Sequence, residues 1–381
     1  MKITGRGLNR AVLGRQLLLG REALGVADAV RRVVALQAQE PASPYIALWN
    51  RVDGFDPAGL DAAFAGGRVV RTTLMRVTLH AVHGDDYRAF REAMEPTLRA
   101  SRLGDRRFAV SGLSVEDVQA LLPDLLEYAA RPRTGEEIRD RLGERLGAPV
   151  DGTAWRLLRQ YAPLLHAPAG GPWSFGARQS FAAAGARPVL DEPDAADAAL
   201  RVLVRRYLEG FGPGTVADVA RFATVPQTRV RKALRAMGDG VERLEGPGGA
   251  VLYDLPGAPR PPEDTPAPPR LMAMWDGVLL SHADRDHVIP PEYRPLVIRR
   301  NGDVLPVLLV DGRVAGVWRA AGEGIEATAF RPLPEDAWEG LAAEARSLLR
   351  FLAGREPQVY RRYHHWWARL PGGAATRVLP G

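Results

Sequence analysis

One order of elements recurs through the first 255 residues: short amphipathic helices, then two strand-like runs joined by a turn. That is the order of a winged helix, a helix-turn-helix variant whose ribbon forms the wing. The first copy reads as helices at 8–19, 26–36, 44–51 and 57–65. The strands VVRTTLM at 69–75 and VTLHAV at 77–82 follow, then a helix from Asp85 to Leu103. In the second copy Ser114 caps a helix at 115–129, with Glu116 and Asp117 in its first turn. Thr134 with Glu137 three residues on is a capping box for 135–145, and 152–161 leads into LLHAPAG and WSF at 173–175. The third copy has helices at 194–210, 215–223 and 225–237, then VERLEG and AVLYDL across a Pro-Gly-Gly turn at 247–249. The copies share element order but no visible residue-level repeat. The expected fold is α+β, mainly α. It has three tandem winged-helix units at 1–110, 111–192 and 193–255, a proline-rich linker at 256–270, and a β-rich region at 271–381. Within the last, VLPVLLV (304–310) and RVAGVWRA (313–320) flank Asp311-Gly312, a type I′ hairpin signal. GIEATAF adds a strand, and a helix at 334–353 precedes the basic, aromatic tail YRRYHHWWARLPGG.

At 381 residues the chain is too long for one simple core. Hydrophobic content of 46% and charged content of 25% are those of a globular protein, and no run of about 18 apolar residues predicts a membrane span. The start MKITGRGLNRAVLGRQ lacks the apolar core of a secretory leader, so a cytoplasmic location is expected. Without cysteine there is neither a disulfide framework nor a thiolate metal site. The net charge is +6; only Lys2 and Lys232 are lysines, so 51 minus 2 leaves 49 arginines. Two explanations stay open: a phosphate-binding surface, which arginine forks suit, or the codon bias of a GC-rich genome.

The stretch VVALQAQEPASPYIALW, 33–49, breaks a pattern. Val26, Ala29, Val30, Val33 and Val34 draw an apolar helical stripe, and position 37 returns to it three turns on. The residues there are Gln37, Ala38 and Gln39. Pro41 disfavours helix at Glu40, so the helix must end within LQAQE, and in extended chain both amides project to one side. Two roles compete: a functional amide pair, or amides that satisfy stray carbonyls at a helix end.

Other polar clusters carry the same ambiguity. In RTTLMRVTLHAVHGDDY (71–87), Arg71, Arg76, His80 and His83 sit on or beside the wing strands, where phosphate contacts or a solvated sheet face both fit. His80 and His83 lack a third ligand, so no metal is expected. MAMWDGVLLSHADRDHVIPP (272–291) holds Trp275, Asp276, His282, Asp284, Arg285, Asp286 and His287, suited to a structural network or to function, and Arg299 and Arg300 lie beyond it. HHWW at 364–367 could stack on bases, although a disordered tail or packing belt is expected of so terminal a segment. No phosphate-loop, GxSxG, HExxH or dinucleotide-binding fingerprint occurs, and no cofactor is expected.

LQAQEPASPYIALWNR, RTTLMRVTLHAV and LLSHADRDHVIP together resemble the bacterial winged-helix DNA glycosylases of the AlkZ and YcaQ type. The resemblance runs to about residue 355. It implies a C-shaped scaffold of winged helices around double-stranded DNA and excision of N7-alkylated purines, including those in interstrand crosslinks. Gln37-Ala38-Gln39 stands where the family has its catalytic motif, and glutamine at 39 matches the AlkZ-like subgroup, whereas YcaQ-type members carry Asp. Trp275-Asp276 is a variant of the family's aromatic-acidic pair. Arg71, Arg76, His80, His83, His282, Arg285, Arg299 and Arg300 become the expected DNA-binding set of a monomer. Amides suit such a reaction: an N7-alkylated purine is already cationic and leaves as a neutral base without a proton donor. What remains is to hold a water and stabilise a cationic sugar. Glu40 is expected to point away from Gln39. The competing function is a transcription regulator without catalysis, reading DNA through helix 225–237 with Arg229, Arg231, Lys232 and Arg235.

Overall fold

The computed structural model describes residues 2–110, 113–371 and 375–380. It is a mixed α+β fold of helices and antiparallel sheets. Six short strands make the first sheet: β1 (Leu36–Gln37), β2 (Val69–Thr73), β3 (Leu79–His83), β4 (Arg133–Thr134), β5 (Leu164–Ala167) and β6 (Ser180–Ala183), in the order β1-β3-β2-β5-β6-β4. The first two ribbons are therefore one sheet. Arg71 of β2 stands opposite His166 of β5, and the Thr72 hydroxyl donates to the Leu164 carbonyl at 2.8 Å. A separate ribbon pairs β7 (Glu242–Glu245) with β8 (Val251–Asp254). The second large sheet runs β13-β12-β11-β10-β9, from β9 (Arg270–Leu271), β10 (Val307–Val310), β11 (Arg313–Ala321), β12 (Gly324–Ala329) and β13 (Thr376–Leu379).

Sequence signals with a local physical cause reappear where expected. Ser114 with Asp117 and Thr134 with Glu137 form capping boxes on helices Val115–Tyr128 and Gly135–Leu146. Asp311 and Gly312 both have positive φ, 49° and 75°, as a type I′ turn requires. Signals that depend on distant partners differ. The helix expected at 26–36 stops at Arg32, Val34 turns left-handed at φ 73°, and Leu36–Gln37 leaves the helical stripe to join the sheet. The strands expected at 69–75 and 77–82 end at Thr73 and restart at Leu79, with a tight turn between them where Arg76 and Val77 have φ of 54° and 55°. The helix expected from Asp85 to Leu103 breaks at Met94, one residue before a new helix that takes Pro96 into its first turn. WSF at 173–175 is no strand: the Ser174 hydroxyl bonds Tyr45 at 2.7 Å, and β6 takes its place beside β5. The described residues of the tail fold back, with a 3₁₀ helix at Arg361–Arg369 and β13 paired to β12.

Two large apolar cores hold these layers. One gathers the first helices with β9–β13 and the helix Glu335–Ala353; the other gathers residues from Val34 to Leu234 around helix Pro193–Phe211. Helix Ser43–Trp49 is buried at every position, so the chain around the glutamine motif is anchored in the first core. A buried ion pair fixes its far end. Arg51 donates from both Nη1 and Nη2 to the Asp276 carboxylate at 2.8 Å, and neither side chain is more than 1% exposed. Asp276 thus acts as a strut between core layers. Arg51→Met should destabilise by about 3–5 kcal/mol, because a buried carboxylate is left unpaired. The double variant Arg51→Met/Asp276→Leu should recover much of that loss. Urea unfolding reads both, and a loss below about 1 kcal/mol for the single variant would contradict the strut.

Candidate active site

The glutamine motif is held first through its backbone. β1 pairs with β3 so that Gln37 faces His80 and Leu36 faces Ala81. Ala38 N–H then donates to the Leu79 carbonyl at 2.8 Å, and the Ala38 carbonyl accepts from Arg71 Nε and Nη2 at 3.1 and 2.9 Å. Ala38 is completely buried, which explains the small residue at the centre of the motif.

Gln37 is locked into a closed ring of hydrogen bonds. Its Nε2 donates to Thr78 Oγ1 at 3.0 Å, and its Oε1 accepts from Arg76 Nη2. Arg76 Nη2 also donates to His80 Nε2 at 3.0 Å, so His80 carries its proton on Nδ1, which donates to the Thr78 carbonyl at 3.0 Å. The left-handed turn at Arg76 and Val77 brings that guanidinium back over the motif. Among the described residues no carboxylate pairs with Arg76. Burial pushes its pKa down to about 9, and the like charges of Arg285 and Arg221 add to the effect. Burial, reinforced by Arg76, holds His80 well below the usual histidine range, so it is neutral.

Gln39 is different. It is exposed, and its Oε1 meets the Leu79 N–H at a long 3.5 Å. Glu40 contacts other partners: its carboxylate accepts from Arg362 Nη2 at 2.5 Å and from the Tyr363 hydroxyl at 3.1 Å. Burial raises the Glu40 pKa, and Arg362 opposes the rise.

The remaining expected site residues are spread out. Arg71, His80, His282 and Arg285 are each 5% exposed or less. Each has at least one polar atom bonded within the protein. Arg71 lies over the Phe175 ring at 4.5 Å, the Ser281 hydroxyl and His282 Nδ1 bond at 2.9 Å, and Arg285 Nε donates to the His282 carbonyl at 3.2 Å. His83 caps helix Gly84–Ala93, accepting the Asp85 N–H on Nδ1 at 3.2 Å. Arg299 stacks over Trp366 at 5.1 Å, and Arg300 is exposed. On helix Gln227–Met237, Arg229 and Lys232 are both tied to Asp197, which leaves Arg231 and Arg235 as its outward cations. Thr78, Arg362 and Tyr363 escaped sequence reasoning. Thr78 looked like one more polar strand residue, and the other two lie more than 320 positions from their partner. Among the described residues no three His, Asp or Glu side chains converge as a metal site.

The buried histidines make stability depend on pH. Burial depresses the pKa values of His80, His166, His282 and His287. Below pH about 6.5 the unfolded chain binds protons that the folded chain refuses, so stability is present above that pH and is lost as pH falls towards the folded values. Each such histidine contributes a slope of about 1.4 kcal/mol per pH unit in that window. His80→Gln should flatten the slope by about one proton's worth; an unchanged slope would show that His80 titrates normally.

The comparisons with known proteins fit this geometry. The family model described as DNA glycosylase AlkZ-like matches residues 30–351. The chain is 26% identical over 351 residues to an interstrand DNA cross-link repair glycosylase of Streptomyces sahachiroi, covering 87% of this chain and 91% of that protein. The solved structure of the Streptomyces sahachiroi DNA glycosylase AlkZ has the same fold, with a TM-score of 0.78, 24% identity, and coverage of 92% of this chain and 97% of that one. With the family model spanning most of its length, including the glutamine motif and the turn that locks it, this chain belongs to the AlkZ-like DNA glycosylase family.

Proposed function

We propose that the chain is a monofunctional DNA glycosylase that hydrolyses the N-glycosidic bond of cationic N7-alkylated purines in double-stranded DNA, carried on three winged-helix units. The observation that carries this is the asymmetry of the two amides. Gln37 has both ends of its amide engaged, by Arg76 and Thr78, while Gln39 is exposed with only a long contact on its oxygen. Gln37 is the support and Gln39 the working group. In the reaction the C1′–N9 bond breaks and its electron pair stays on N9, which neutralises the cationic base. Water adds to C1′ and loses one proton, leaving an abasic sugar. The Gln39 carbonyl oxygen accepts a hydrogen bond from that water and places partial negative charge beside the cationic sugar. No general base is required, because the lesion's own charge activates the leaving group.

An exposed turn also suits crosslinked purines. A base tethered to the opposite strand cannot be flipped deep into a pocket, and Gln39 does not demand it. The named relative that repairs interstrand cross-links supports extending the substrate range to such lesions. The same placement argues against a purely regulatory protein.

The test is excision from a duplex carrying one N7-methylguanine, followed by alkaline cleavage of abasic sites. Gln39→Ala should lose excision by about 100-fold or more with duplex affinity unchanged, because the group acts on water and the sugar. Gln37→Ala should lose rate and also about 1–3 kcal/mol of stability, because the buried Arg76 guanidinium loses an acceptor. Equal loss of binding and cleavage in Gln39→Ala, or unaltered stability in Gln37→Ala, would contradict these roles.

A further inference from the structure

The segment after residue 351 lies outside the matched family region, yet it returns to the glutamine motif. Successive contacts stitch it down. Arg355 pairs with Asp61 at 2.5 Å, the Tyr360 and Ser43 hydroxyls bond at 3.0 Å, and Trp366 Nε1 donates to Asp303 at 2.8 Å. Ser43 opens the buried helix that follows the motif. Between these anchors Arg362 and Tyr363 meet Glu40, the residue after Gln39. Tyr363 is 8% exposed and packs edge-on against Trp275 at 5.4 Å, so its hydroxyl is held in place.

We propose that Arg362 and Tyr363 are positioning residues for the glycosylase site, gripping the Glu40 carboxylate so that the exposed turn carrying Gln39 keeps one geometry. This rests on the glycosylase reading above. The need for such a grip follows from the local structure. Ladder bonds hold the motif as far as Ala38, and the helix at Ser43 holds it from the other side. Gln39 to Ala42 lie between, and the Glu40 side chain is the handle that the tail takes. The Arg362 side chain is 66% exposed and is held by Glu40 and by the hydroxyl and ring of Tyr363, which supplies the rigid second donor to Glu40. Arg362 also neutralises a carboxylate that would otherwise face incoming phosphates.

The role acts through Glu40, and this makes it separable from a simple DNA contact. Glu40→Gln keeps an acceptor oxygen for both donors and should retain excision close to wild type. Glu40→Ala and Arg362→Ala should each slow single-turnover excision by about tenfold, with duplex affinity within about twofold, because misplacement of a reacting group costs rate and not binding. Arg362→Lys should recover part of the loss, and Tyr363→Phe should show a smaller one. On the Glu40→Ala background, Arg362→Ala should add nothing. Hydrogen exchange of the backbone amides from Gln39 to Ser43, Pro41 excepted, should accelerate in Arg362→Ala whether or not DNA is cleaved. Additive losses, a loss confined to affinity, or unchanged exchange would overturn the proposal; the affinity result would make the tail a phosphate contact. Failure of the wild-type chain to excise any alkylated base, with exchange still accelerated in Arg362→Ala, would sink the glycosylase reading alone and leave the grip standing.

Discussion

The pairing of the two-residue strand Leu36–Gln37 with Leu79–His83 is the constraint on which the site depends. The Ala38 N–H on the Leu79 carbonyl and the guanidinium of Arg71 on the Ala38 carbonyl fix it. A strand so short has little stability of its own. It persists because the residues before it are divided between the two apolar cores, the helix after it is buried at every position, and Arg71 reaches across to the Ala38 carbonyl. Once the ladder is set, the turn at Arg76 closes over the buried Gln37, while Gln39, in the bend beyond the strand, stays exposed.

That closure gives two identical side chains unequal surroundings. The buried Gln37 satisfies a guanidinium that has no carboxylate partner among the described residues, a state tolerated because Gln37 Oε1 and neutral His80 both accept from it. Were His80 protonated, it would lose its acceptor nitrogen and add a positive charge beside Arg76. Burial prevents that. The ring of Gln37, Thr78, His80 and Arg76 thus contains no carboxylate among the described residues, which suits the proposed attack of water on a cationic sugar. The adjoining carboxylate, Glu40, is bonded by the tail.

Much of this was legible in the chain. Capping boxes, the Asp-Gly hairpin and helix periodicity are local and survived folding, as Ser114, Thr134 and Asp311 show. The glutamines stood out because they interrupted an apolar stripe, although the reason was a strand and not a helix end: the left-handed turn at Val34 reset the register before Gln37. Long-range pairings had no signature. Nothing near Arg71 announces a bond to Ala38, or near Arg362 a bond to Glu40. The arginines expected on a DNA surface were equally able to satisfy carbonyls inside, and Arg71 and Arg285 took the second course. The tail looked expendable because aromatic residues at a terminus carry no pattern until the site they cover is known.

In the proposed reaction the substrate's own positive charge does the work of a general acid and base. This is tested most directly with two duplexes of the same shape, one carrying N7-methylguanine and one carrying its neutral analogue 7-methyl-7-deazaguanine. The account predicts similar affinity for both and excision of the cationic base alone, with Gln39→Ala abolishing that excision. Release of the deaza base at a comparable rate would contradict it, because a neutral leaving group would require a proton donor that the amide network does not contain.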